Sequence, residues 1–158
     1  MGVQFSASDI VEIAVRIEEN GCNFYRFATQ LAKDEETKGV FQRLADDEGK
    51  HGKIFQKMLS NVDTLPLPEG YPDEYGAYLR NYVDSKIIFT QEAMEKELAR
   101  IQDVASALDF AIRREMDSIL YYQEIKAFVS KDQHGIIDEI IAEERGHFEI
   151  LSALRAGQ

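Results

Sequence analysis

Apolar residues recur every three or four positions in two long segments of the N-terminal half, the spacing of amphipathic helices. Ser6 or Ser8 can cap the first segment, which is predicted to form a helix of about 25 residues. Its apolar stripe comprises Ile10, Ile13, Ala14, Ile17, Gly21, Phe24, Ala28 and Leu31. A charged run at 33–36 ends the pattern, and the second stripe comprises Phe41, Leu44, Glu48, His51, Phe55 and Leu59.

Two similar stripes lie in the C-terminal half. The third comprises Leu108, Ala111, Ile112, Glu115, Ile119, Tyr122, Ile125 and Val129. Asp132 can cap the fourth helix, whose stripe comprises Ile137, Ile140, Ile141, Glu144, His147, Leu151 and Leu154. The segment between the two halves contains all three prolines at 60–72, followed by short helical patches. With no alternating strand pattern, the sequence predicts one all-α domain over 1–158. We expect an antiparallel four-helix bundle with one long crossover connection, about 60–102, between helices two and three.

Composition excludes several classes of function. The formal charge of −11 argues against a nucleic-acid partner, whose phosphates require a basic face. No apolar run approaches the roughly 18 residues that span a bilayer, so no membrane association is expected. The polar N-terminus and the single cysteine, Cys22, favour a cytoplasmic location. The tracts 34–36 and 46–47 are predicted to be solvated acidic surface, and His134 a surface histidine. Cys22 is predicted to be a small buried residue or, because it lies one turn after Glu18, to border the site.

The informative residues are the ionisable ones that interrupt the apolar stripes. Glu48 with His51, and Glu144 with His147, are each three positions apart, so each pair lies on one core-facing side of its helix. Glu115 lies in the middle of the third stripe, and Glu18 borders the first. Four buried carboxylates are strongly unfavourable unless they are protonated or neutralised. Two divalent cations would balance them, and this mixed oxygen and nitrogen ligand set suits iron or manganese, with zinc also possible.

An internal repeat supports this interpretation. The pattern Ala-x3-Glu-x2-small-x2-aromatic-Tyr occurs at 14–25 and again at 111–122, so that Tyr25 corresponds to Tyr122. The Glu-x-x-His pattern likewise occurs at 48–51 and 144–147. The two halves therefore correspond to one duplicated helical hairpin, and a pseudo-twofold axis is predicted to pass through the metal pair.

These motifs resemble the di-iron domain of the rubrerythrin family, in the ferritin-like group. The resemblance covers nearly the whole chain and implies Glu18 and Glu115 as single-glutamate ligands. It implies Glu48 and Glu144 as carboxylates that bridge two irons, with His51 and His147 as terminal ligands. Tyr25 and Tyr122, seven residues after Glu18 and Glu115, correspond to tyrosines that hydrogen-bond the ligands.

The sequence departs from the family pattern in two respects. Typical rubrerythrins append a rubredoxin with four cysteine ligands, whereas this sequence has one cysteine, so a separate electron donor such as a rubredoxin is expected. Rubrerythrins also carry an extra glutamate one turn from the third-helix ligand, where this chain has Ile112 and Ser118. The predicted site therefore resembles the six-ligand ferritin or bacterioferritin type more closely.

Three functions are compatible with these residues. The resemblance implies an oxidoreductase that reduces hydrogen peroxide or dioxygen. The tyrosine and aliphatic residues at 75–89 are expected to pack either on the bundle or on a partner chain, and a homodimer is favoured. A ferroxidase, for which Fe(II) is the substrate, would use the same site. A non-catalytic helical module would use its metals only to stabilise the bundle.

Overall fold

The computed structural model describes residues 6–62 and 91–158. These residues contain five α-helices: α1 Ala7–Leu31, α2 Glu35–Asn61, α3 Gln91–Leu98, α4 Val104–Ile125 and α5 His134–Ala156. Helices α1, α2, α4 and α5 form the predicted four-helix bundle, and the short α3 packs beside α1. Most of the predicted crossover, residues 63–90, lies outside the described residues.

Side-chain caps stabilise the first turn of both helices in the first hairpin, α1 and α2. Ser6 accepts a hydrogen bond from the Asp9 backbone N–H at 3.2 Å, and Asp9 Oδ2 accepts one from the Ser6 N–H at 2.8 Å. This reciprocal cap satisfies two donors that a helix start otherwise leaves unpaired, and it confirms Ser6 as the cap. Asp34 caps α2 by accepting from the Thr37 N–H at 2.8 Å. Since only residues 32–34 separate α1 from α2, the two helices run antiparallel.

The second hairpin has a different connection from the one predicted. Asp103 caps α4 by accepting from the Ser106 N–H at 2.8 Å. The predicted Asp132 cap of α5 is wrong, because Asp132 lies in a 3-10 turn, Lys131–Gln133, that leads directly into the helix at His134. The backbone of Gln133 is already helical, so no extended capping residue precedes α5. His134 Nε2 lies 2.7 Å from the Lys126 carbonyl oxygen, which closes the connection.

The core fills the space between the four long helices with aromatic and branched side chains. Phe24 packs against Phe110 with ring centroids 4.8 Å apart, and Phe55 packs against Tyr122 at 4.9 Å. Burial of such side chains is the main favourable contribution to folding. Among the described residues, no helix combines the length and the apolar character that a membrane span requires.

The orientation of α4 differs from its predicted stripe. Ile112 and Ile119 are only half-buried, while Phe110, Arg114 and Ser118 are buried. The buried face is therefore turned by part of a helical turn, which brings an arginine into the interior. The stripes of α1, α2 and α5 are confirmed, apart from half-buried residues at their C-terminal ends.

Candidate metal centre

The six predicted ligand residues meet in one buried cluster at the middle of the bundle. Each is at most 5% exposed: Glu18, Glu48, His51, Glu115, Glu144 and His147. Each long helix contributes at least one of them, because every one of these residues lies on the core-facing stripe of its helix. Four carboxylates buried among apolar side chains require either protonation or compensating positive charge.

Within the cluster the ligand atoms form two sets of four. Atoms of Glu18, Glu48, His51 and Glu144 lie within 4.8 Å of one another, and so do atoms of Glu48, Glu115, Glu144 and His147. We call these the His51 set and the His147 set. Glu48 and Glu144 belong to both sets, which is the arrangement that two neighbouring metal ions with shared carboxylates require.

Several polar atoms of the cluster are free of hydrogen bonds, as expected for residues that bind a cation. Five of its buried polar atoms form no hydrogen bond of regular geometry, although His51 Nδ1 lies 3.2 Å from Glu144 Oε1: Glu18 Oε2, Glu48 Oε1, His51 Nδ1, Glu115 Oε2 and Glu144 Oε1. Buried polar atoms are nearly always paired, so four carboxylate oxygens without a hydrogen bond, gathered beside the two imidazoles, fit a site that binds cations. Each of the five atoms belongs to a residue of the two sets, and carboxylate oxygens with imidazole nitrogens are suitable donors to iron, manganese or zinc.

The two tyrosines hold the single glutamates across the bundle. The hydroxyl of Tyr25, on α1, donates a hydrogen bond to Glu115 on α4, and Tyr122, on α4, donates to Glu18 on α1. In each case the other carboxylate oxygen of the glutamate is one of the unpaired atoms. The tyrosines thus orient one oxygen of each carboxylate and leave the second towards the cluster centre.

Two further acidic residues contact the histidines from outside the cluster. His51 Nε2 lies 2.8 Å from Glu143 Oε2, and His147 Nε2 lies 3.4 Å from Asp47 Oδ2. A carboxylate on the outer imidazole nitrogen fixes the ring orientation and makes the inner nitrogen a better ligand. The expectation that Asp46–Asp47 is a solvated tract is wrong for Asp47, whose side chain is only 21% exposed. The available signal was an acidic residue directly before each Glu-x-x-His.

Arg114 is the other participant that the sequence analysis missed. Its side chain is buried, and its Nη2 donates to Glu48 Oε2 at 2.6 Å and to the Ile17 carbonyl oxygen at 2.8 Å. Its Nη1 lies 3.5 Å from Glu115 Oε1. Gly21 provides the space, because a Cβ atom there would lie 1.9 Å from Nη2. The available signal was a charged residue directly before Glu115, at the edge of the third apolar stripe.

The crowding of four carboxylates in the cluster shifts the pKa values of several of its residues. Burial raises the pKa of Glu48 to about 7, although the Arg114 guanidinium acts to lower it. Burial also raises the pKa of Glu144 well above its usual value, with the negative charge of Glu48 adding to the rise. For His51, burial favours the neutral ring, but the Glu144 and Glu18 carboxylates outweigh it and raise the pKa to about 12. The metal-free cluster therefore holds protons that bound cations must displace.

A groove between α1 and α2 leads from the surface to the cluster. It has a volume of about 330 Å³, and its lining includes Glu18 and Glu48. The exposed side chains of Arg26 and Lys53 also line it, so it reaches solvent. Cys22, which was predicted to be a small buried residue or to border the site, is half-buried in the wall of this groove.

The comparisons with known proteins agree with this geometry. The rubrerythrin family model matches residues 9–155, so the chain belongs to the rubrerythrin family. One similar solved structure is a candidate ferritin-like diiron-carboxylate protein from Thermotoga maritima, with 29% identity and a TM-score of 0.72. That match covers 99% of this chain and 98% of the other.

A second similar structure supports the fold alone. It is a hypothetical protein from Pyrococcus furiosus, with 18% identity and a TM-score of 0.68, covering 96% of this chain and 89% of the other. A search of the curated proteins finds no match. The family and the fold are thus shown, and the buried Glu/His cluster is compatible with a two-metal site.

Proposed function

We propose that the chain is a di-iron oxidoreductase that reduces hydrogen peroxide or dioxygen in its buried cluster. The observation that carries this proposal is the pair of four-ligand sets that share Glu48 and Glu144, with the unpaired buried atoms turned towards them. Glu18 with His51, and Glu115 with His147, complete the two positions. Manganese or zinc could occupy the same ligands, but iron fits the diiron-carboxylate description of the Thermotoga maritima relative.

Two bound Fe(II) ions would supply two electrons, which with two protons reduce hydrogen peroxide to two water molecules. The protein's own residues provide orientation and access. Tyr25 and Tyr122 fix the single glutamates, and Asp47 and Glu143 fix the two imidazoles. A separate electron donor, such as a rubredoxin, would return the metal pair to the reduced state.

Rapid mixing of the reduced, iron-loaded protein with each oxidant tests this proposal. The protein is loaded anaerobically with two Fe(II) per chain, and the absorbance of the oxidised pair is followed with peroxide and then with dioxygen. Oxidation that is faster with peroxide than with dioxygen supports a peroxidase function. No response to either oxidant would contradict an oxidoreductase and leave a structural metal site.

A ferroxidase is the second candidate, favoured by the residues near Glu115. Ser118, one turn after Glu115, carries no carboxylate and donates its hydroxyl to the Arg114 carbonyl oxygen at 3.0 Å. The six-residue cluster therefore resembles the ferritin type, in which Fe(II) is the substrate. Oxidation by dioxygen at least as fast as by peroxide, with repeated turnover in excess Fe(II), would select this function.

The groove between α1 and α2 is the proposed route for the oxidant. A volume of about 330 Å³ holds on the order of ten water molecules, so the groove has room for hydrogen peroxide or dioxygen. Gly49 lines the groove, and a Cβ atom there meets nothing within 4 Å. Gly49→Leu should therefore narrow the route without strain.

We expect Gly49→Leu to slow oxidation of the loaded protein while two irons per chain are retained. Gly39→Leu is the matched control, because Gly39 is also on α2 with open space at its Cβ position but is not among the residues that line the groove. Equal oxidation rates in Gly49→Leu and the unsubstituted protein would contradict this route.

A further inference from the structure

The buried arginine breaks the twofold symmetry of the candidate site. The repeat aligns Glu18 with Glu115, and therefore Ile17 with Arg114. One half of the cluster thus has an apolar residue where the other half has a guanidinium. The positions three residues after these glutamates also differ, since they are Gly21 and Ser118.

Gly21 and Arg114 act together. A Cβ atom at Gly21 would lie 1.9 Å from Arg114 Nη2 and 2.2 Å from Glu48 Oε2, so the ion pair occupies the space that a side chain would fill. The guanidinium also donates to the Ile17 carbonyl oxygen, which fixes it against α1. The ion pair is therefore built into the packing of α4 against α1 and α2.

The guanidinium contacts the two ligand sets unequally. In the His147 set it touches two of the four residues, Glu48 at 2.6 Å and Glu115 at 3.5 Å. In the His51 set its only recorded contact is Glu48. Its hydrogen bond also occupies Glu48 Oε2, so that Oε1 is the oxygen of Glu48 that lacks a partner.

We propose that Arg114 is a positioning residue that makes the two metal positions unequal, so that the His51 position fills first and the His147 position fills second and more weakly. Among the six ligands alone, four carboxylates and two divalent cations balance when both imidazoles are neutral. Asp47 and Glu143 add one negative charge behind each imidazole, whereas Arg114 adds its positive charge on the Glu115 side alone, so it acts most strongly on the cation beside Glu115. This inference rests on the proposed metal pair but not on any redox reaction.

Mössbauer spectroscopy at limiting iron tests the inference. The protein receives one equivalent of ⁵⁷Fe(II) per chain without oxidant, and the occupancy of the two positions is read from their quadrupole doublets. His51→Ala and His147→Ala, each with one equivalent, provide reference spectra for the remaining position. We expect the unsubstituted protein to show the doublet of the His51 position in at least about tenfold excess, as expected for a buried charge.

Two neutral variants at position 114 complete the experiment. Arg114→Met retains most of the side-chain volume, and Arg114→Gln retains a hydrogen-bond donor for Glu48. If one variant does not fold, the other still shows whether the charge of Arg114 causes the unequal filling. Both variants should bind two irons per chain when iron is in excess. After one equivalent, their two doublets should have comparable intensity. Arg113→Met is the matched control, since Arg113 is exposed and should leave the unequal filling unchanged.

The possible failures are distinguishable. Equal doublets in the unsubstituted protein, or unequal doublets that persist in both position-114 variants, would overturn the role of Arg114 and leave the dimetal site intact. Absence of protein-bound iron after two equivalents would contradict the metal site itself.

Discussion

The two helical hairpins of the bundle present the same candidate ligands in different surroundings. Each provides a single glutamate, a tyrosine seven residues later, and a Glu-x-x-His pair on its second helix. The α1–α2 hairpin places Asp47 against the opposite histidine, and the α4–α5 hairpin places the more exposed Glu143 in the same role. The α4–α5 hairpin also contributes Arg114, where the other has Ile17. The repeat therefore preserves the candidate ligands, while the residues around them make the two halves unequal.

The largest expected effect is the loss of a shared carboxylate. Glu48→Ala and Glu144→Ala should each abolish binding of the metal pair, because each residue belongs to both ligand sets. Metal content per chain after anaerobic loading and desalting measures this. Asp46→Ala, at the exposed position two residues before Glu48, is the control. Two metals retained by either glutamate variant would show that the shared-ligand assignment is wrong.

A smaller and more selective effect is expected from the acidic residues behind the histidines. Asp47→Asn should weaken the metal at the His147 position, and Glu143→Gln the metal at the His51 position, each by about 10–100-fold. Anaerobic Fe(II) titration with the doublet of each position as readout measures both. If either variant weakened both positions equally, the pairing of each carboxylate with one histidine would lose its support.

The tyrosines are expected to affect the stability of the metal-free protein. Tyr25→Phe and Tyr122→Phe each remove a hydrogen bond to a buried carboxylate, so the free energy of unfolding should fall by about 1.5–3 kcal/mol. Denaturant unfolding measures this. Tyr121→Phe is the control, because its hydroxyl donates to the uncharged Ile10 carbonyl oxygen at 2.7 Å, a bond worth about 0.5–1.5 kcal/mol. A Tyr121 effect as large as the other two would contradict the special role of the carboxylates.

The sequence predicted the bundle and the six clustered residues because helical periodicity constrains both. Glu48 and His51 had to share a face, and the apolar residues on either side of them set its direction. Periodicity identifies a face only to within part of a turn, so Arg114, at the edge of the third stripe, was not recognised. Its burial depends on the small size of Gly21 on another helix, which is a tertiary contact. Asp47 was likewise misassigned, because an acidic residue at a helix surface is usually solvated and its partner His147 is distant in sequence.

Anomalous diffraction from crystals of the Fe(II)-loaded protein, measured at the iron absorption edge, tests the central claim most directly. We predict two peaks per chain about 3.5–4 Å apart, the usual separation in two-metal sites, with one beside His51 and the other beside His147. Glu48 and Glu144 should lie between the peaks. Iron found only at the exposed acidic residues 34–36, or no ordered iron in the cluster, would contradict the account.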